Sequence, residues 1–144
     1  MRVPRIDRSV ATHVPPRDAA DPLAVTSTRP RPGLALIRVV GEVDVLTEPG
    51  LRAVLARSLA DVADGETPSV VCDLEGVTFL GATGVDVFVD AWQQALAEGV
   101  ELVLVARHRT VLRPFRLTAP DRGLTPTRTH PILGRYAADP EVGR

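Results

Sequence analysis

Two hydrophobic periods alternate along this chain. Val70, Val71, Cys72 and Leu74 form a short apolar run of the kind found in a strand covered on both faces. Gly76 interrupts it, and Val77 to Leu80 return to apolar surroundings. Gly81-Ala82-Thr83-Gly84 then predicts a tight turn into a helix. From Val85 the apolar positions Val85, Phe88, Val89, Trp92 and Leu96 fall on one helix face, which places Trp92 against a sheet. A strand that feeds a helix through such small residues leaves backbone N–H groups open at the helix start. That arrangement suits an anion, a modification or a docking partner.

The remaining segments extend this pattern on both sides. Leu23–Thr28 and Leu34–Val40 read as two strands. The Arg-Pro-Arg-Pro-Gly turn at 29–33 makes them antiparallel, and the crowding prolines suggest a sheet edge. Thr47 reads as an N-cap with Glu48 in the first turn of a helix that buries Leu51, Val54, Leu55 and Leu59. The segment 64–68 ends that helix, and Gly99 caps the next one. Glu101–Ala106 is a further strand. Thr110–Leu117 is a short helix that starts late or kinks because it contains Pro114. Leu124–Arg128 reads as a weak last strand, with Ile132, Leu133 and Tyr136 facing the core from a final short helix. The order β-β-α-β-α-β-α-β-α means an α/β fold with a mostly parallel sheet. Residues 1–21 are rich in Arg and Pro and lack apolar periodicity, so a disordered N-terminal tail is expected there. The folded domain is expected over 22–138, with 139–144 as a frayed C-terminal tail.

Composition narrows the chemistry. With 144 residues the chain forms one domain, and with 3% aromatic residues its core is built from Val, Leu and Ala. The single cysteine, Cys72, lies inside a predicted strand and has no disulfide partner within the chain, which fits a reducing cytoplasm. No apolar run is long enough to span a membrane, and no signal-type segment opens the chain. From Gly41 to Glu101 acids dominate and the only bases are Arg52 and Arg57. From Leu102 to Arg135 seven arginines face Asp121 alone. These are either two solvated faces or an acidic surface around the Gly81–Gly84 turn that attracts a basic partner.

Catalytic signatures are missing. The chain has no phosphate loop, no dinucleotide fingerprint, no nucleophile elbow and no Cys or His pair at metal spacing. Asp44, Asp73 and Glu75 lack a base partner. Arg107, Arg109, Arg113 and Arg116 lack an aromatic stacking platform, which argues against a nucleic-acid partner. The expectation is a protein that is not an enzyme and carries neither cofactor nor metal.

Taken together, GEVD at 41–44 leading into a helix, CDLEGVTFLGATGV at 72–85, ELVLVA at 101–106 and TVLRPFRLTAPDRGL at 110–124 resemble a STAS domain of the anti-sigma factor antagonist kind. The resemblance spans about 22–138. It implies an N-terminal antiparallel strand pair joined to a mostly parallel sheet of about five strands, with about four helices. It also implies a function: docking on a serine-kinase anti-sigma factor of histidine-kinase-like ATPase fold, release of a sigma factor, and silencing by phosphorylation. The alternative is a STAS accessory subunit of a larger assembly, such as a lipid-transport ABC complex or a stressosome-like particle. A monomer or weak dimer, without membrane insertion, is expected.

The family's acceptor lies in an Asp-Ser-Ser/Thr-Gly turn. Position by position, Gly81 stands for the Asp, Ala82 for the usual phosphoacceptor Ser, Thr83 for the next hydroxyl residue and Gly84 for the Gly. Ala82 has no hydroxyl, so either Thr83 takes over or this switch is absent. Thr83 followed by Asp86 also has the layout of a capping box, which explains a hydroxyl there without signalling. Asp44, Thr47, Asp86 and Asp90 are the expected partner-binding residues around the turn.

Overall fold

The computed structural model describes residues 12–14, 22–118 and 123–133. Eight elements follow one another: β1 (Thr12–Val14), β2 (Leu23–Arg31), β3 (Leu34–Val43), α1 (Glu48–Val62), β4 (Ser69–Leu80), α2 (Ala82–Glu98), β5 (Glu101–Val105) and α3 (Arg109–Thr118). The strands form one sheet in the order β1-β2-β3-β4-β5. β1–β2 and β2–β3 are antiparallel, and β3–β4 and β4–β5 are parallel. The α/β fold, with antiparallel N-terminal strands joined to parallel ones, is the one expected.

Three details differ from the sequence reading. β1 lies inside the segment expected to be disordered, with Thr12 opposite Ser27 and Val14 opposite Val25; the rest of 1–21 lies outside the described residues. β2 is therefore not the outermost strand. Its Pro30 is tolerated because the β2–β3 register already shifts between Thr28 and Arg31. The expected strand Leu124–Arg128 shrinks to a single parallel bridge, Val105 to Thr127. Thr127 N–H donates to the Leu104 carbonyl at 2.8 Å, but the neighbouring Pro126 has no N–H with which to lengthen the ladder. Residues 131–133 form a helical turn, and Tyr136 lies outside the described residues.

The core lies mainly between the sheet and the helices. Ala35, Ile37, Val39 and Val43 of β3 and Val70, Cys72, Leu74 and Leu80 of β4 pack in one cluster with Leu51, Leu55 and Leu59 of α1 and Val85 and Phe88 of α2. Phe115 of α3 joins it, with its ring tilted against that of Phe88. The alternate strand positions, Leu34, Leu36, Val71 and Val105, form a smaller cluster beneath Ile132. A buried hydroxyl pair, Ser27 Oγ to Ser58 Oγ at 3.0 Å, ties β2 to α1. Cys72 is fully buried, and burial pushes its thiol pKa well up, so it behaves as a small apolar residue.

Pro114 falls beyond the first turn of α3, so that helix does not start late. Gly99 ends α2 in the left-handed region (φ 73°), as its sequence position suggests, with its N–H on the Ala95 and Leu96 carbonyls. Two apolar positions of α2 depart from expectation. Leu96 is exposed, and Trp92 is only half-buried. The Trp92 indole packs against the edge of the core cluster and over Gly123: a Cβ built on Gly123 would lie 2.8 Å from its ring.

Candidate functional site

The site forms where the parallel strands β3 and β4 end side by side and each feeds a helix. Val43 pairs with Leu80, and the next residue, Gly81, donates its N–H to the Val43 carbonyl at 3.1 Å. Gly81 is extended (φ −85°, ψ 173°) and serves as the N-cap of α2 without a side chain to cap with. Its carbonyl accepts from Gly84 N–H (2.9 Å) and Val85 N–H (3.2 Å). The turn is thus tighter than the sequence predicts. Ala82, Thr83 and Gly84 are already helical.

That shift changes what each residue of the turn does. Thr83 is the second residue of α2 and exposed, so it is not an N-cap, and the capping box with Asp86 does not form. Among the described residues its hydroxyl has no hydrogen bond. Ala82, at the position matching the usual acceptor, is also exposed. Gly84 is buried because the helix start lies directly on the sheet: a Cβ there would meet Leu80 Cδ1 at 2.6 Å and Val43 Cγ1 at 2.8 Å. Gly81 is under less constraint, since a Cβ would approach the Phe79 ring at 3.4 Å in a backbone conformation open to any residue.

The β3–α1 junction is built differently. Thr47 occupies the residue before α1 but has helical dihedrals (φ −97°, ψ −15°) and no capping bond, so the expected cap is not formed. Its hydroxyl instead donates to the Glu42 carbonyl at 2.8 Å and accepts from Asp44 N–H at 3.0 Å. Asp44 Oδ1 in turn accepts from the N–H groups of Leu46 (2.9 Å) and Thr47 (3.0 Å). Thr47 is buried and Asp44 half-buried, and together they close a compact loop. The loop carries outward two side chains that sequence reasoning passed over, Val45 (66% exposed) and Leu46 (79% exposed). Phe79, opposite Glu42 in the β3–β4 ladder, is half exposed as well. The signal was available: two consecutive apolar residues sit inside a polar loop with no core position to fill.

Asp86 and Asp90 are exposed on α2 at helical spacing from Thr83. Asp90 is engaged by α1: Arg52 Nη1 donates to its Oδ2 at 3.0 Å, while Arg52 Nε donates to Glu48 Oε2 at 3.1 Å. Asp90 foremost, then Glu48, raise the Arg52 pKa above its ordinary value. Asp73 and Glu75, the other carboxylates singled out, lie on β4 away from the turn. They pair with Arg38 (3.6 Å), and with Arg107 (3.5 Å) and His108 (3.3 Å), respectively. Among the described residues no group of His, Cys, Asp or Glu is arranged to hold a metal ion. One surface hollow lies at the other end of the sheet, near Ser69 and Glu101, and another lies between Phe115 and Leu124; neither includes a residue of the turn. No helix among the described residues is long and apolar enough to cross a membrane.

Comparison with known proteins agrees with this geometry. The STAS domain family model matches residues 26–130. An anti-sigma-F factor antagonist of Mycobacterium tuberculosis, RsfB, is 29% identical over 90 residues, which is 62% of this chain and 70% of that protein. The crystal structure of an anti-sigma factor antagonist from Mycobacterium paratuberculosis superposes with a TM-score of 0.66 at 26% identity, covering 85% of this chain and 99% of that one. The unphosphorylated form of the antagonist SpoIIAA superposes with a TM-score of 0.61 at 16% identity, covering 80% and 97%, a likeness of fold.

Proposed function

The chain belongs to the STAS domain family, and from that premise we propose that it is an anti-sigma factor antagonist that acts by docking rather than by catalysis. Its partner is a serine-kinase anti-sigma factor, and docking frees a sigma factor in the cytoplasm. The observation that carries the reading is the surface around the start of α2. Val45, Leu46 and Phe79 are exposed there beside the open helix start at Ala82 and Thr83. Exposed apolar side chains gathered at one end of a sheet, with acids at their rim, suit a protein interface. The apolar residues supply the buried contact, and Asp86 and Asp90 supply the attraction that speeds encounter. Asp44 and Thr47 contribute by holding the loop that presents Val45 and Leu46.

The switch in this chain is weakened. Ala82 cannot accept a phosphate, and a step from 82 to 83 turns the acceptor by about 100° around the helix axis. A kinase poised over position 82 meets Thr83 at the wrong angle. The antagonist is therefore largely constitutive, working as a monomer or weak dimer. Capture from cells of the source organism, with the bound protein identified by mass spectrometry, tests the partner: an ATPase of the histidine-kinase-like fold is expected, and a transporter ATPase would instead favour an accessory subunit. Incubation of the captured kinase with ATP, read by intact mass, tests the switch. Wild-type protein should stay unmodified, and Gly81→Asp with Ala82→Ser should gain one phosphate. Stoichiometric phosphate on wild-type Thr83 would sink the constitutive reading.

A further inference from the structure

Arg52 is one of two bases between Gly41 and Glu101, and its guanidinium spans both helices of the site. It bridges Glu48 in the first turn of α1 and Asp90 on the exposed stripe of α2 that also carries Thr83 and Asp86. The bridge stays wet, with the Arg52 side chain 43% exposed and that of Asp90 57% exposed, so its bonds can exchange with another cation without opening the core. A basic side chain arriving at this face would seek the same carboxylate oxygens. Resting on the docking reading above, we propose that Arg52 is an internal competitor for the partner's cation: it occupies Asp90 until a guanidinium or ammonium of the anti-sigma factor displaces it. Competition of this kind slows encounter, and it discriminates against partners that bring no base to Asp90, because only a basic side chain recovers the bond that Arg52 gives up.

The competitor and a merely structural tie between helices predict opposite signs. Removing a structural tie loosens α1 against α2 and weakens docking. Removing a competitor strengthens it. Association with the anti-sigma factor captured as above, followed by stopped flow at low and high salt, reads the difference. Arg52→Gln and Arg52→Met should each associate roughly two- to five-fold faster than wild type, with a steeper salt dependence, and Arg52→Lys should stay near wild type. Using both Gln and Met removes any contribution from an added apolar surface. Asp90→Asn should slow association more in the Arg52→Gln background than in wild type, because the carboxylate is then free for the partner. Slower or unchanged association of both Arg52→Gln and Arg52→Met overturns the inference. Asp86→Arg separates this failure from that of the docking face: it should slow association in every background, and if it does not, the face is elsewhere and the competitor role falls with it.

Discussion

The two strand-to-helix junctions that meet at this site are held by opposite means. From β3 into α1, closure is polar: Asp44 and Thr47 between them engage three backbone N–H groups and the Glu42 carbonyl. From β4 into α2, no side chain caps the helix. That junction rests on backbone bonds through Gly81, whose N–H donates to the Val43 carbonyl and whose carbonyl accepts from Gly84 and Val85 N–H, and on the fit of Gly84 against Leu80 and Val43. The polar junction uses its side chains to hold itself together and offers the surface apolar ones. The other is held by backbone and packing, which leaves the side chains at 82 and 83 without structural duties. A hydroxyl, a methyl or a charge can be exchanged there at little cost to the fold.

The sharpest break of this contrast is at Gly84. Alanine in a helix interior normally stabilises relative to glycine, yet any Cβ here collides. The Leu80 methyl can swing aside, but Val43 is fully buried and β-branched and cannot. Gly84→Val should cost about 3 kcal/mol by urea unfolding. A change within 0.5 kcal/mol would mean that α2 does not seat on the sheet this closely.

Next in size is the polar junction. Asp44→Ala leaves the Leu46 and Thr47 N–H groups without their acceptor and should cost about 1–2 kcal/mol. Asp44→Asn keeps an oxygen in the same place and should fold close to wild type. Equal losses in the two variants would assign the role to charge instead of to hydrogen bonding.

The contrast also explains which parts of the molecule were legible in the sequence. Short apolar runs bounded by turn residues located β2 to β5, and helical spacing located α1 and α2, because burial imposes those patterns. Both N-cap assignments failed for one reason. Thr47 and Thr83 each sit at a helix start, where a hydroxyl is the common cap, but capping depends on dihedrals and on a shift of one or two residues that composition does not encode. Phe79 was read as core because it lies in an apolar run. The register shift between Gly41 and Glu42 sets that end of β4 opposite the exposed Glu42. Trp92 and Leu96 extended the apolar stripe to the rim of the buried face, which at this end of α2 runs through Ala91 and Ala95. β1 had no periodicity to show over three residues.

The smallest expected effect is the most discriminating. If Thr83 were an N-cap, Thr83→Ala would cost about 1 kcal/mol. In the structure Gly81 holds that place and the Thr83 hydroxyl is exposed without a hydrogen bond among the described residues. What remains is helix propensity, on which alanine surpasses threonine by roughly half a kcal/mol. Thr83→Ala should therefore be neutral or slightly stabilising in thermal unfolding. Thr83→Asp should be no worse, because a carboxylate in the first turn of a helix is favoured by about 0.3–1 kcal/mol. Against this flat background partner binding becomes a clean readout. If Thr83→Ala binds normally and Thr83→Asp binds weakly, the loss arises at the interface and not from the fold. A phosphate at the same position carries more charge and acts in the same direction more strongly. A loss of about 1 kcal/mol on Thr83→Ala would instead restore the capping role and move the start of α2 one turn position along the chain.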